Sequence, residues 1–162
     1  MSKEKPIKTN AMRILDRMRI PYTLHPYACE AFQDGVQVAH LLGRDPATVF
    51  KTLVAVGKSR NHLVFVLPVA QELDLKKAAH AAGEKAVTLI PVQKLQPLTG
   101  YIRGGCTAIG MKKPFPVWVD ASILLLPKVL VSGGQRGVQL ELTPEDYLRA
   151  CQGQVADLLS GH

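Results

Sequence analysis

Val49-Phe50-Lys51-Thr52-Leu53-Val54-Ala55-Val56, then Gly57-Lys58-Ser59-Arg60-Asn61, then His62-Leu63-Val64-Phe65-Val66 is the stretch on which the fold turns. β-branched and aromatic residues dominate both outer runs, and a short polar segment with a glycine separates them. That is a hairpin pattern. Period-two alternation places Lys51 on one face with Leu53 and Ala55. A lysine in such company either snorkels to water or sits in a pocket with an anion.

Toward the N-terminus, Asn10 is a candidate cap for a helix running to about Arg19, with Ile14, Leu15 and Met18 as its apolar stripe. Pro21 ends it, and Tyr22-Thr23-Leu24-His25 reads as a short strand. A second helix is expected over residues 35–42, closed by Gly43. Toward the C-terminus, Asp74 caps a helix over residues 75–82, with Gly83 as its stop. Short strands follow at 87–89, 101–103, 117–119, 129–131 and 138–142. In the last of these Val138, Leu140 and Leu142 alternate with Gln139 and Glu141, so one face is buried. Thr143-Pro144-Glu145-Asp146 opens the final helix with a hydroxyl cap, a proline in the first turn and acids at the positive dipole end.

Many short strands with irregularly spaced helices do not make the strict alternation of a parallel α/β fold. The expected class is α+β, with a mixed, strongly curved sheet. The 162 residues, 47% of them hydrophobic, suit a single domain over 1–162, with a flexible, charged tail over 1–8. No apolar stretch approaches the ~20 residues of a membrane helix, and no apolar signal core follows the N-terminus. A cytoplasmic protein without a membrane partner is expected.

Three cysteines at wide spacings, Cys29, Cys106 and Cys151, give neither a disulfide framework nor a Cys-x-x-Cys zinc site. No two of the five histidines sit at the i, i+4 spacing, so neither a metal nor a cofactor is expected. Twenty Lys and Arg against thirteen Asp and Glu give +7, which favours a polyanionic partner or simply a solvated basic face.

Three familiar motifs fail. Gly57-Lys58-Ser59 lacks the earlier glycine of a phosphate-binding loop, because that position is Thr52. Gly133-Gly134-x-x-Gly137 leads into a strand rather than a helix. Ser132 is not in a nucleophile elbow, because Leu130 stands where the first glycine belongs. Two glycine-rich segments survive, Gly104-Gly105 with Gly110, and Ser132-Gly133-Gly134-Gln135-Arg136-Gly137. They are either tight turns or places where backbone N–H groups approach a ligand.

Phe50-Lys51-Thr52-Leu53, Pro68-Val69-Ala70 before Leu73-Asp74-Leu75-Lys76-Lys77, Gly100-Tyr101-Ile102-Arg103-Gly104-Gly105, Gly110-Met111-Lys112-Lys113 and Ser132-Gly133-Gly134-Gln135-Arg136-Gly137 occur in order. This ordered set, from about residue 9 to 159, resembles the YbaK family of Cys-tRNA(Pro) and Cys-tRNA(Cys) deacylases. The resemblance implies the fold of the editing domain of bacterial prolyl-tRNA synthetases, a mixed sheet forming a partly open barrel with flanking helices. It implies trans-editing of Cys-tRNA(Pro), needed because a synthetase pocket discriminates poorly between side chains of similar size.

It also implies that Lys51 is the key lysine and that Gly104 and Gly105 form a pocket-lining, oxyanion-stabilising loop. Tyr27, Phe32, Thr52, Ser132, Gly133, Gly134 and Arg136 are then substrate contacts. The implied partners are the acceptor end of a misacylated tRNA and, transiently, prolyl-tRNA synthetase. Gln139, where the family carries aspartate, and Cys106, beside the glycine loop, depart from the pattern. The implied chemistry is attack by the substrate's own thiol. A deacylase for Ala-tRNA(Pro) or another misacylated tRNA, using water, and a non-catalytic RNA-binding module of the same fold are the alternatives.

Overall fold

The computed structural model describes residues 8–29 and 31–161. Most of the tail expected at 1–8 therefore lies outside the described residues. Two sheets carry the fold. The larger is mixed and runs in the order β4 (Val87–Leu89), β2 (Phe50–Gly57), β3 (His62–Pro68), β5 (Val117–Asp120), β8 (Gln154–Ala156). The hairpin is its spine, with Phe50 opposite Pro68 and Val56 opposite His62. β5 then joins β3 in parallel, and β8 joins β5 in parallel. The smaller sheet is antiparallel, with β1 (Thr23–Pro26), β7 (Val138–Leu142) and β6 (Val129–Ser132) in that order. One parallel bridge between Val49 and Leu130 links the two sheets. The class is α+β, as expected, but the expected single curved sheet is divided in two and no closed barrel forms among the described residues.

Among the described residues five α-helices surround the sheets: α1 (Asn10–Arg17), α2 (Gly35–Leu41), α3 (Leu75–Ala82), α4 (Leu95–Thr99) and α5 (Pro144–Cys151). None is long and apolar enough to cross a membrane. Each long helix starts where chemistry dictates. Asp74 accepts hydrogen bonds from the amides of Lys76 and Lys77, and Gly83 closes α3 in the left-handed conformation. Thr143 caps α5 by accepting from Asp146 N at 3.1 Å. Asp34 and Gln37 form a reciprocal capping box on α2.

Three expectations require correction. Thr9, not Asn10, caps α1: its hydroxyl oxygen accepts from Met12 N at 3.2 Å, while Asn10 lies inside the helix and donates to Gly110 O. The buried stripe of α1 is Ala11, Met12 and Leu15, whereas Ile14 and Met18 only flank the core. Residues 101–103 form no strand. Gly100 (φ 86°) and Gly104 (φ 89°) bracket them in the left-handed region, which bends the chain out of any ladder. The short α4, which contains Pro97, and the edge strand β8 were not expected.

The main core lies between α1, α5, the smaller sheet and one face of the larger. Leu15, Val64, Val66, Val119, Leu140 and Tyr147 are fully buried there. A second cluster, with Phe65 stacked on Trp118, fills the opposite face beneath α3. Fully burying one such side chain stabilises the fold by about 1.5–3 kcal/mol.

Candidate active site

Where the two sheets meet, the start of β2 and the start of α2 leave a cavity of about 250 Å³. Lys51, Thr52, Phe32, Gly104 and Ser132 line it, so five residues singled out in the sequence converge here. Lys51 is half-buried, and its ammonium donates to Val69 O at 3.3 Å. Partial loss of water pushes its pKa down, and the carboxylates of Glu72 and Asp34 pull it back up without cancelling the shift.

The rim is an aromatic–cation stack. The Arg103 guanidinium lies 4.0 Å from the centre of the Phe32 ring and that of Arg136 lies 5.4 Å away. Arg136 Nε donates to Arg103 O at 2.8 Å, which pins the two glycine segments together. Glycine is required at both loop positions. A Cβ on Gly104 would sit 3.1 Å from both Arg136 Nε and Phe32 Cδ1, and one on Gly105 would sit 2.7 Å from the Gln135 Cα. The Gly105 amide closes its own turn by donating to Ile102 O at 2.9 Å. Gly105 therefore shapes the loop from behind.

The second glycine segment divides its tasks. Ser132 lines the cavity and accepts from Gly134 N at 3.3 Å. Gly133 donates to Val138 O, and its carbonyl receives the Thr9 hydroxyl at 2.6 Å, so Gly133 and Gly134 anchor the start of α1 and do not line the cavity. Tyr27 also stays off the lining; its backbone amide binds Gly137 O, and burial raises its phenol pKa.

Sequence reasoning missed Gln33, Asp34 and Arg103 as site residues, and treated Gln139 and Cys106 only as departures. All five line the cavity. Gln139 is 6% exposed because the face of β7 expected to meet water is covered by the cavity wall. The side-chain oxygens of Gln33 and Gln139 are buried without a hydrogen-bond partner among the described residues. Such orphaned acceptors are costly, and a ligand that donates hydrogen bonds would satisfy them. Burial pushes the Cys106 thiol up to about 12, which keeps it protonated. Among the described residues no three His, Cys, Asp or Glu side chains cluster to hold a metal ion.

The cavity can thus position a small polar group beside a cation and two neutral acceptors. A family model described as an aminoacyl-tRNA editing domain matches residues 30–150. A protein of Enterococcus faecalis named as a proposed Cys-tRNA(Pro)/Cys-tRNA(Cys) deacylase, EbsC, is 43% identical over 152 residues, 93% of each chain. An uncharacterised Bacillus subtilis protein, YwhH, is 28% identical over 110 residues, 68% of this chain and 69% of its own. The crystal structure of a proposed trans-editing enzyme for prolyl-tRNA synthetase superposes with a TM-score of 0.80 at 24% identity, covering 98% of this chain and 100% of the other.

Proposed function

This chain belongs to the aminoacyl-tRNA editing domain family, and from that premise we propose that it deacylates mischarged tRNA, with Cys-tRNA(Pro) as its substrate. The observation that carries the reading is the half-buried Lys51 ammonium at the wall of the cavity, held by a carbonyl and by no ion pair among the described residues. A cation kept partly dry without a tight counter-ion is suited to an incoming anionic or ester oxygen.

The chemistry is substrate-assisted. The thiol sulfur of the esterified cysteine attacks its own carbonyl carbon, the bond to the ribose oxygen breaks, and the thiol proton ends on that oxygen. The products are a cyclic thioester and free tRNA. The protein supplies orientation, which can be worth up to ~7–11 kcal/mol. Lys51 holds the terminal phosphate or ester oxygen, and Gly104 lets the backbone approach the reacting carbonyl. Thr52, Ser132 and Phe32 shape the space for a small side chain. Prolyl-tRNA synthetase, which produces the mischarged tRNA, is the transient partner from which the substrate is passed.

The test is single-turnover hydrolysis of Cys, Ser and Ala esters on the same tRNA(Pro). Serine is nearly isosteric with cysteine, but its hydroxyl stays protonated whereas a thiol is a few per cent thiolate near neutral pH. A Cys-selective rate with release of a cyclic thioester is expected. Equal rates for the three esters would identify water as the nucleophile and make the protein a general deacylase.

A further inference from the structure

A second depression, of about 530 Å³, shares no lining residue with the Lys51 cavity. Three basic residues from three separate elements converge on it: Arg17 from the end of α1, Lys113 from the loop before β5, and Arg149 from α5. Its apolar part is formed by Met18, Met111 and Phe115, and no acidic residue among the described ones lines it. Asp146 pairs with Arg149 at 3.5 Å from just outside, which leaves Arg17 and Lys113 without an ion pair among the described residues. Pro114 and Pro116 fix the lip around Phe115, because each locks its own φ.

Cations distant in sequence repel one another when folding gathers them, and a polyanion that binds there relieves that repulsion. One buried segment separates this groove from the cavity. Cys106 lines the cavity and Ala108 lines the groove, with fully buried Thr107 between them. Two residues span at most ~7 Å, so the linings of the two concavities are close neighbours. We propose that this groove docks the sugar-phosphate backbone of the tRNA acceptor region while the aminoacylated end occupies the cavity. Arg17 and Lys113 meet phosphates, and Met18, Met111 and Phe115 form an apolar floor against sugars or an unpaired base. The assignment of tRNA as the polyanion rests on the deacylase reading.

The experiment measures binding of deacylated tRNA across salt concentrations, together with hydrolysis of 3′-cysteinyl-adenosine, which has no RNA backbone to dock. In the double variant Arg17→Gln/Lys113→Gln, both positions exposed, the slope of log K against log salt should become shallower by about 1 per lost contact, about 2 in all. Cysteinyl-adenosine should still be hydrolysed at the wild-type rate. The control Lys76→Gln/Lys85→Gln removes two exposed cations at and beside α3, on the opposite face of the larger sheet, and should leave the slope unchanged. An unaltered slope in the groove variant, an equal drop in the control, or loss of cysteinyl-adenosine hydrolysis would overturn the proposal. Failure of the wild-type protein to cleave any aminoacyl ester would instead remove the deacylase reading, with the slope still reporting on the groove.

Discussion

Half-burial of the Lys51 ammonium sets two opposing pH dependences on one residue. Its folded-state pKa lies below the ordinary 10.5, chiefly because burial penalises the charged form. At neutral pH the folded protein carries that penalty, and it lifts as pH rises through the lowered value. Activity that uses the cation should therefore decline on the alkaline limb before a free lysine would titrate. Stability from this group should rise over the same interval. Parallel pH profiles of deacylation and of denaturant midpoint check this, and Lys51→Met should remove the stability rise. Lys51→Ala should lower deacylation by roughly 10²-fold, the scale of losing one oriented donor, while thermal unfolding stays cooperative. Lys51→Arg should not rescue it, because the planar guanidinium fills a different shape. Near-wild-type turnover by the alanine variant would remove Lys51 from the mechanism. The cysteines make the converse case. Cys106 and Cys151 are pushed up to about 12 by burial, so neither is a thiolate near neutral pH. A variant with Cys29→Ser, Cys106→Ala and Cys151→Ala should retain most activity, measured with Cys-tRNA(Pro).

Among the elements, α1 is held at its first turn by one side chain with two duties. The Thr9 oxygen accepts from Met12 N, and its hydroxyl donates to Gly133 O. Thr9→Ala should cost about 0.5–2 kcal/mol for the cap alone, read from chemical denaturation, and should raise KM through the loosened Ser132–Gly137 segment. Thr9→Ser should restore most of both. The sequence reading was accurate where the signal is local. The hairpin of β2 and β3, the Asp74 cap and Gly83 stop of α3, and the Thr143-Pro144 start of α5 depend on neighbours within a few residues. It failed where a tertiary partner decides. Tyr101-Ile102-Arg103 has strand composition, but left-handed glycines on both sides and the Tyr101 hydroxyl on Ile109 O hold it as a loop. Thr9 and Asn10 are both capping residue types side by side, and the bond from Thr9 to Gly133, which joins distant parts of the chain, is what sets Thr9 at the cap.

Across the whole molecule, the smaller sheet is tied to the end of α2 by Glu141, which accepts from Arg44 at 3.0 Å and from His25 at 2.7 Å. Burial raises the carboxyl pKa, but the hydrogen bonds from Arg44 and His25 outweigh it, and the net shift is downward from 4.5. A depressed carboxylate stabilises the fold above its unfolded-state value, and that contribution is lost as pH falls through the folded one. Glu141→Gln should thus destabilise the protein near neutrality and flatten the loss of stability as pH falls below 4.5, measured by urea midpoints. The candidate site shows the same division between local and distant information. Lys51 was legible because a lone cation in an apolar strand is anomalous by itself. Arg103 was not, because an arginine beside glycines looks like any solvated charge until Phe32 is brought beneath it. Gln33 carries no mark in the chain, and Gln139 stood out only as a departure from a family pattern, since the burial of both exists only once the two sheets meet.

The backbone contact behind Gly105 has an evolutionary consequence. With the Gln135 Cα only 2.7 Å from where a side chain at 105 would begin, position 105 answers to the path of a distant piece of backbone and not to the side chain it carries. The dependence runs one way: every residue carries a Cα, so position 135 can drift without regard to 105, whereas a lineage that gains a methyl group at 105 must reshape the path of the chain at 135.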